Sequence, residues 1–283
     1  MKRSVAYACS VVVLSALLVA QAEEKCQAVY GHGPNRLTVA TGSPGELGLL
    51  KVIAEAFAAQ HNATVRWRKA GSGKSLKLLH GKEVDAVMVH APAAEKKAVA
   101  EGWARKRTLI GSNEFYIVGP KSDPAAIASA KTAAEAYAKI AAARARFLSR
   151  ADNSGTHKKE LAVWQKAGVT PEGAWYIQTH DFMTATLLRA NEVEGYFMTD
   201  SSTWVAAKSQ TPKLAVLFKG DPMLVNIYHA LCQPEGATPG AALGAQFVEF
   251  LASKEAQRMF ADFGKEAYGQ PIYNDAAYAG QFE

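Results

Sequence analysis

The sequence lacks a complete nucleotide-binding loop, although Lys69-Ala70-Gly71-Ser72-Gly73-Lys74-Ser75 ends like one. A Walker A loop needs a further glycine five residues before its Gly-Lys pair, where this chain has Arg68. What remains is a small-residue turn between a strand-like segment and a helix-like one, and a helix N-terminus rich in free N–H groups suits an anion. Long apolar runs are also missing. The most apolar stretch, Val11 to Ala20, is shorter than the ~20 residues a membrane span needs. With Lys2 and Arg3 before it and Ala20 and Ala22 after it, residues 1–22 read as a cleaved signal peptide. The mature chain is therefore expected in the periplasm, not embedded in the membrane, where there is no ATP to bind.

Charge of one sign is nowhere concentrated. The net charge of +6 falls to about +4 without Lys2 and Arg3, and the basic residues are interleaved with acids, so no nucleic-acid-binding stripe is present. Seven histidines show no H-E-x-x-H or comparable spacing, which leaves no metal site, and no G-x-S-x-G elbow appears. His90, which ends a strand-like run, reads as a structural hydrogen-bonding residue. The tryptophans Trp164, Trp175 and Trp204 read as packing rather than as a stacking platform. Cysteine is scarce, with Cys26 and Cys232 alone surviving processing. In an oxidising compartment they read as one disulfide, or otherwise as buried free thiols.

What is present is alternation. Short β-branched runs, RLTVAT, ATVRWRK, VDAVMVH, EFYIVGP, ARFLSR, EGYFMTD, KLAVLFK and VNIYHALC, alternate with helical patterns, which is the α/β signature. A helix is expected from a Ser43–Glu46 capping box to a stop at Asn62. Three turns of hydroxyl and glycine residues stand where helices begin: Thr41-Gly42-Ser43, Gly71-Ser72-Gly73, and Arg150 with Ser154-Gly155-Thr156. In open α/β sheets such turns line the crevice at the carboxyl ends of strands. Helix N-termini and hydroxyl donors can hold an oxyanion without burying several full charges.

The segments VATGSPGELGLLKVIAEAF, VDAVMVHAP, FYIVGPKSDPA and SGTHKKEL resemble the tungstate-binding protein family, the periplasmic receptors of tungstate ABC importers. The resemblance runs over nearly the whole mature chain. It implies a two-lobed α/β binding protein, each lobe a mixed sheet flanked by helices. It implies a monomer without cofactor or catalytic residues, which closes on tungstate, molybdate or a similar small oxyanion and passes it to a membrane permease. Lobe one would comprise residues 35–113 plus 225–283 and lobe two residues 114–224, with crossings near Tyr116–Pro120 and Gly220–Pro222. The implied ligand residues are Thr41, Ser43, Ser72, Arg150, Ser154, Thr156 and Met183.

The pocket turns depart from the family's pattern. His180-Asp181-Phe182-Met183-Thr184 replaces a glycine-rich turn, and Ser201-Ser202 replaces an Arg-Gly pair. Asp181 would either cap the helix starting near Met183 or face the ligand, where it would favour a solute carrying a hydrogen-bond donor. A receptor for another small anion or organic acid, or an exported enzyme or sensor on the same scaffold, is the alternative function. Cys26 and Cys232 would staple the N-terminal segment to lobe one.

Overall fold

The computed structural model describes residues 26–283, so the expected signal peptide lies outside the described residues. Among the described residues ten strands form one mixed sheet flanked by helices. They are β1 (Ala28–Tyr30), β2 (Asn35–Thr41), β3 (Ala63–Lys69), β4 (Ala86–Val89), β5 (Arg105–Pro120), β6 (Phe147–Ser149), β7 (Tyr176–Gln178), β8 (Tyr196–Asp200), β9 (Leu214–Phe218) and β10 (Val225–Cys232). Their order across the sheet is β1-β3-β2-β4-β10-β5-β8-β6-β7, with β9 also paired to β5.

Two halves share β5. Its first part runs antiparallel to β10, from Arg105 opposite Cys232 to Glu114 opposite Val225. From Phe115, opposite Asp200, it pairs instead with β8, and from Ile117 also with β9. The strands on either side of this junction are parallel: β2 with β3 and β4, and β6 with β7 and β8. Parallel strands are covered by helices on both faces, which is why β4 reads as the unbroken apolar run Ala86-Val87-Met88-Val89 and is buried throughout.

Three apolar clusters follow from this arrangement. In the first half, Leu37, Val39 and Val65 meet Phe57, Phe247 and Phe260 on one face, while Val87, Val89, Leu76 and Leu79 meet on the other. In the second half, Phe147, Phe197 and Ile117 pack against Tyr137, Trp164 and Leu187. Trp164 is 1% exposed and lies within 5.1 Å of the Phe147 ring centroid, so it is packing, as expected.

Two expectations are corrected. The helix from Ser43 is broken in two, Ser43–Glu46 and Leu49–His61, before it stops at left-handed Asn62. Gly48 at φ +96° makes the break, and Ser43 forms no capping box because Gly42 occupies the N-cap position. The Cys26–Cys232 disulfide does not form, and Cys232 is a buried free thiol whose Sγ lies 3.8 Å from the Arg105 carbonyl oxygen. The reason is strand order. Cys26 precedes β1, whereas Cys232 ends β10 four strands away, ~19 Å at ~4.8 Å per strand, far beyond the ~7 Å Cα limit of a disulfide.

Candidate functional site

Every parallel strand delivers its carboxyl end to the same crevice. β2 ends in Thr41, β3 in Lys69, β4 in Val89 before His90, β6 in Ser149 before Arg150, and β8 in Asp200. Each leads into the N-terminus of a helix, β8 directly and the others through a short connection. Arg150 and its turn come from the second half, while Thr41, Ser43 and Ser72 come from the first.

The structure brings these turns into contact. A Cβ placed on Gly71 would lie 3.0 Å from the Ser154 Cβ, and one on Gly73 would lie 2.4 Å from the Asn153 carbonyl oxygen. A Cβ on Gly155 would fall 2.5 Å from the His90 ring. The glycines are therefore required by proximity, since the Gly71-Ser72-Gly73 turn of one half is seated on the Asn153-Ser154-Gly155 turn of the other. Ser43 closes a second cross-link, donating from Oγ to Asp200 Oδ2 at 3.3 Å.

The expected site residues fall into distinct situations. Thr41 is fully buried and donates to the Met88 carbonyl at 2.9 Å, tying β2 to β4. Ser72 Oγ accepts the His90 amide at 3.1 Å. Ser154 Oγ accepts the His157 amide at 3.2 Å and so caps the Gly155–Lys166 helix. Thr156, 1% exposed, has a buried Oγ1 without a hydrogen-bond partner. Arg150, 4% exposed, donates to Asp152 Oδ2 at 2.5 Å and, from Nε, to the Asp181 carbonyl at 3.2 Å. Met183 opens the Met183–Val193 helix, and its side chain is buried in the apolar core, which leaves only its backbone at the turn.

Asp181 does not cap that helix. Its N-cap is Phe182, which supplies no side-chain acceptor, and the exposed Asp181 carboxylate instead accepts the Phe182 amide at 2.8 Å. The Ser72–His80 helix also has no side-chain cap, and neither these two helices nor Gly155–Lys166 carries an acid in the first turn. Three sets of helix-terminal N–H groups therefore keep their partial positive charge uncompensated by acidic side chains of their own first turns.

Several neighbours escaped the sequence reading. His90 was read as a structural hydrogen-bonding residue, and its amide does bond Ser72, yet its ring Nδ1 is buried without a partner. Burial, and after it the charge of Arg150, holds the imidazole's pKa down to about 3, so the ring is neutral. Asp200 is buried among donors: Ser202 Oγ, the Thr203 amide at 2.8 Å and Thr203 Oγ1 at 3.0 Å. Burial raises its pKa against those hydrogen bonds. Asn113 links Asp200 to Asn226, accepting from Asn226 Nδ2 at 2.7 Å. The signal that marks His90 for the site is its place just past the carboxyl end of β4, on the same end of the sheet as Thr41 of β2.

A crevice lined by hydroxyls and helix-terminal N–H groups, with Arg150 buried in it, can hold a small anion by hydrogen bonds. Among the described residues no group of three or more His, Cys, Asp or Glu side chains could hold a metal cation. No helix among them is long and apolar enough to cross a membrane.

Comparison with known proteins agrees with this geometry. Residues 28–255 match the model of the PBP superfamily domain. The tungstate-binding protein TupA of Peptoclostridium acidaminophilum is 33% identical over 241 residues, covering 84% of this chain and 84% of that protein. The solved structure of the tungstate ABC transporter from Geobacter sulfurreducens is 37% identical, with a TM-score of 0.74, covering 82% of this chain and all of that one. That of tungstate-binding TupA from Desulfovibrio alaskensis is also 37% identical, with a TM-score of 0.69 and coverage of 85% and 98%. By sequence and by fold, the chain belongs to the PBP superfamily and, within it, to the family of the tungstate-binding proteins.

Proposed function

We propose that this protein is the periplasmic receptor of an ABC importer, a binding protein rather than an enzyme. It takes tungstate, or the chemically similar molybdate, between two lobes and delivers it to a membrane permease. Lobe one comprises residues 35–113 and 225–283, and lobe two residues 114–224. The reading is supported most by one observation: turns from the two halves of the sheet meet at Arg150 with uncapped helix N-termini and an unpartnered Thr156 hydroxyl.

The chemistry favours such a ligand. A tetrahedral dianion without a proton offers only acceptors, which match the donors of Ser72, Thr156, Arg150 and the helix termini. Each N-terminus carries about half a positive charge, and a single buried guanidinium avoids the desolvation cost of several. Asp181 turns its carboxylate to the Phe182 amide, which supports the proton-free oxyanion over a hydroxylated organic acid.

Calorimetry of the mature protein against tungstate, molybdate, sulfate and phosphate tests the proposal. Stoichiometric binding of tungstate or molybdate, with sulfate and phosphate weaker, is expected. Failure of all four to bind would refute it.

A further inference from the structure

Phe182 occupies a position whose usual work it cannot do. It is the N-cap of the Met183–Val193 helix, with extended φ −73° and ψ 168°, yet a phenyl ring accepts no hydrogen bond from the first turn. Serine, threonine or asparagine there would stabilise the helix. The half-buried ring is instead placed beside two cations. Lys69 Nζ lies 4.3 Å from the ring centroid and the Arg150 guanidinium carbon 5.5 Å from it.

The two cations come from opposite halves. Lys69 ends β3 and Phe182 follows β7, and seven strand steps separate these strands in the sheet order. Laid flat, that is ~34 Å at ~4.8 Å per strand. The contact therefore exists only while the two halves are folded onto each other across the crevice. Lys69 is held in place from its own side by Glu46 at 3.2 Å. Arg150 is held from its own side by Asp152 and by the carbonyl of Asp181, the residue before Phe182.

We propose that Phe182 is a cross-cleft clasp. Its ring joins Lys69 of the first half to Arg150 of the second, stabilises the closed arrangement, and fixes the guanidinium in its binding position. Phe182 is thus a positioning residue that slows escape of the bound oxyanion. The ligand arm of this inference rests on the oxyanion-receptor reading, whereas the closure arm does not.

The test uses Phe182→Leu, which keeps apolar bulk and removes the π face, Phe182→Tyr, which keeps it, and Lys69→Met, with the Phe182→Leu/Lys69→Met double variant. Tungstate release is followed by stopped-flow tryptophan fluorescence. Exposed to desolvated cation–π contacts correspond to about 2- to 30-fold in an equilibrium, so Phe182→Leu should speed release by that factor, with Phe182→Tyr within about twofold of the parent. In the double variant the effect of Phe182→Leu should shrink to the share carried by Arg150, because the Lys69 contact across the cleft is already gone. Unchanged release in Phe182→Leu, or effects that simply multiply in the double variant, would overturn the clasp.

A second measurement needs no ligand. Small-angle scattering of the anion-free protein should show a larger radius of gyration for Phe182→Leu and for Lys69→Met than for the parent. Identical radii would also count against the proposal. If the parent binds no oxyanion in calorimetry, the receptor reading fails and the scattering result alone decides the clasp.

Discussion

Replacing Gly73 by alanine adds one methyl group at the seam between the two halves. That methyl would sit 2.4 Å from the backbone carbonyl oxygen of Asn153, against an ordinary contact of about 3.4 Å or more. A backbone oxygen cannot rotate away, so the turns must separate by about 1 Å for the closed form to persist. Overpacking of this kind costs about 1–3 kcal/mol, and it falls only on the closed state, so oxyanion affinity should drop by about 5- to 150-fold. The open protein has no such clash. Gly73 is the second residue of the Ser72–His80 helix, where alanine is the better helix former by up to ~1 kcal/mol, so ligand-free stability should hold or rise. Calorimetry with tungstate and thermal melting without it read the two effects separately. Affinity within twofold of the parent would mean that the Gly73–Asn153 contact is not part of the liganded state.

Arg150→Ala should weaken tungstate binding by about 10- to 150-fold, the range of a charge-assisted hydrogen bond of ~1.5–3 kcal/mol. Unchanged affinity in calorimetry would reduce Arg150 to a brace for Asp152 and Asp181. Burial raises Glu160 to a pKa of about 7 despite the 2.7 Å hydrogen bond from Tyr176. The folded state then holds a proton that the unfolded state has lost, so this group's contribution is greatest below about pH 4.5 and falls as pH rises to about 7. Urea titrations of parent and Glu160→Gln across that window should show the parent losing more stability than the variant as pH rises, and parallel curves would refute the assignment. Cys232 should resist a thiol reagent in the native protein and react fully in denaturant without reductant. A requirement for reductant would show that it is paired.

Much of the fold is legible in the sequence because strands buried on one or both faces carry β-branched and aromatic residues at alternating or consecutive positions. ATVRWRK and VNIYHALC coincide with β3 and β10, and RLTVAT and EGYFMTD overlap β2 and β8. The elements that escape notice are those whose partners supply the reason for their existence. β1 and β7 are three residues each, edge strands too short to show a period. The first part of β5, Arg105-Lys106-Arg107-Thr108, carries charges that no isolated strand pattern would suggest. Those charges are explained only by long-range neighbours: Arg107 donates to Glu95, which is fully buried, and to Glu283, while His229 touches both carboxylates. The glycine and hydroxyl turns announce an anion site, but their convergence does not show in spacing. Gly73 meets Asn153 because strand order folds one set of turns over the other, and Phe182 meets Lys69 for the same reason.

The place of β10 has a consequence for the order in which the chain acquires its structure. This strand lies inside the first half, hydrogen-bonded on one side to β4 and on the other to β5, yet it is supplied by residues 225–232. Until it arrives, β4 and β5 each present an open edge, and the contacts that join them span more than a hundred residues, as with Cys232 opposite Arg105. Non-local pairings of this kind form slowly, because the loop must be closed before it is rewarded. The intervening segment has its own apolar cluster and needs nothing beyond Leu224 for it. The part of the polypeptide synthesised first is thus the last to be completed, and during that interval its unpaired edges are the surface through which copies of the chain would aggregate.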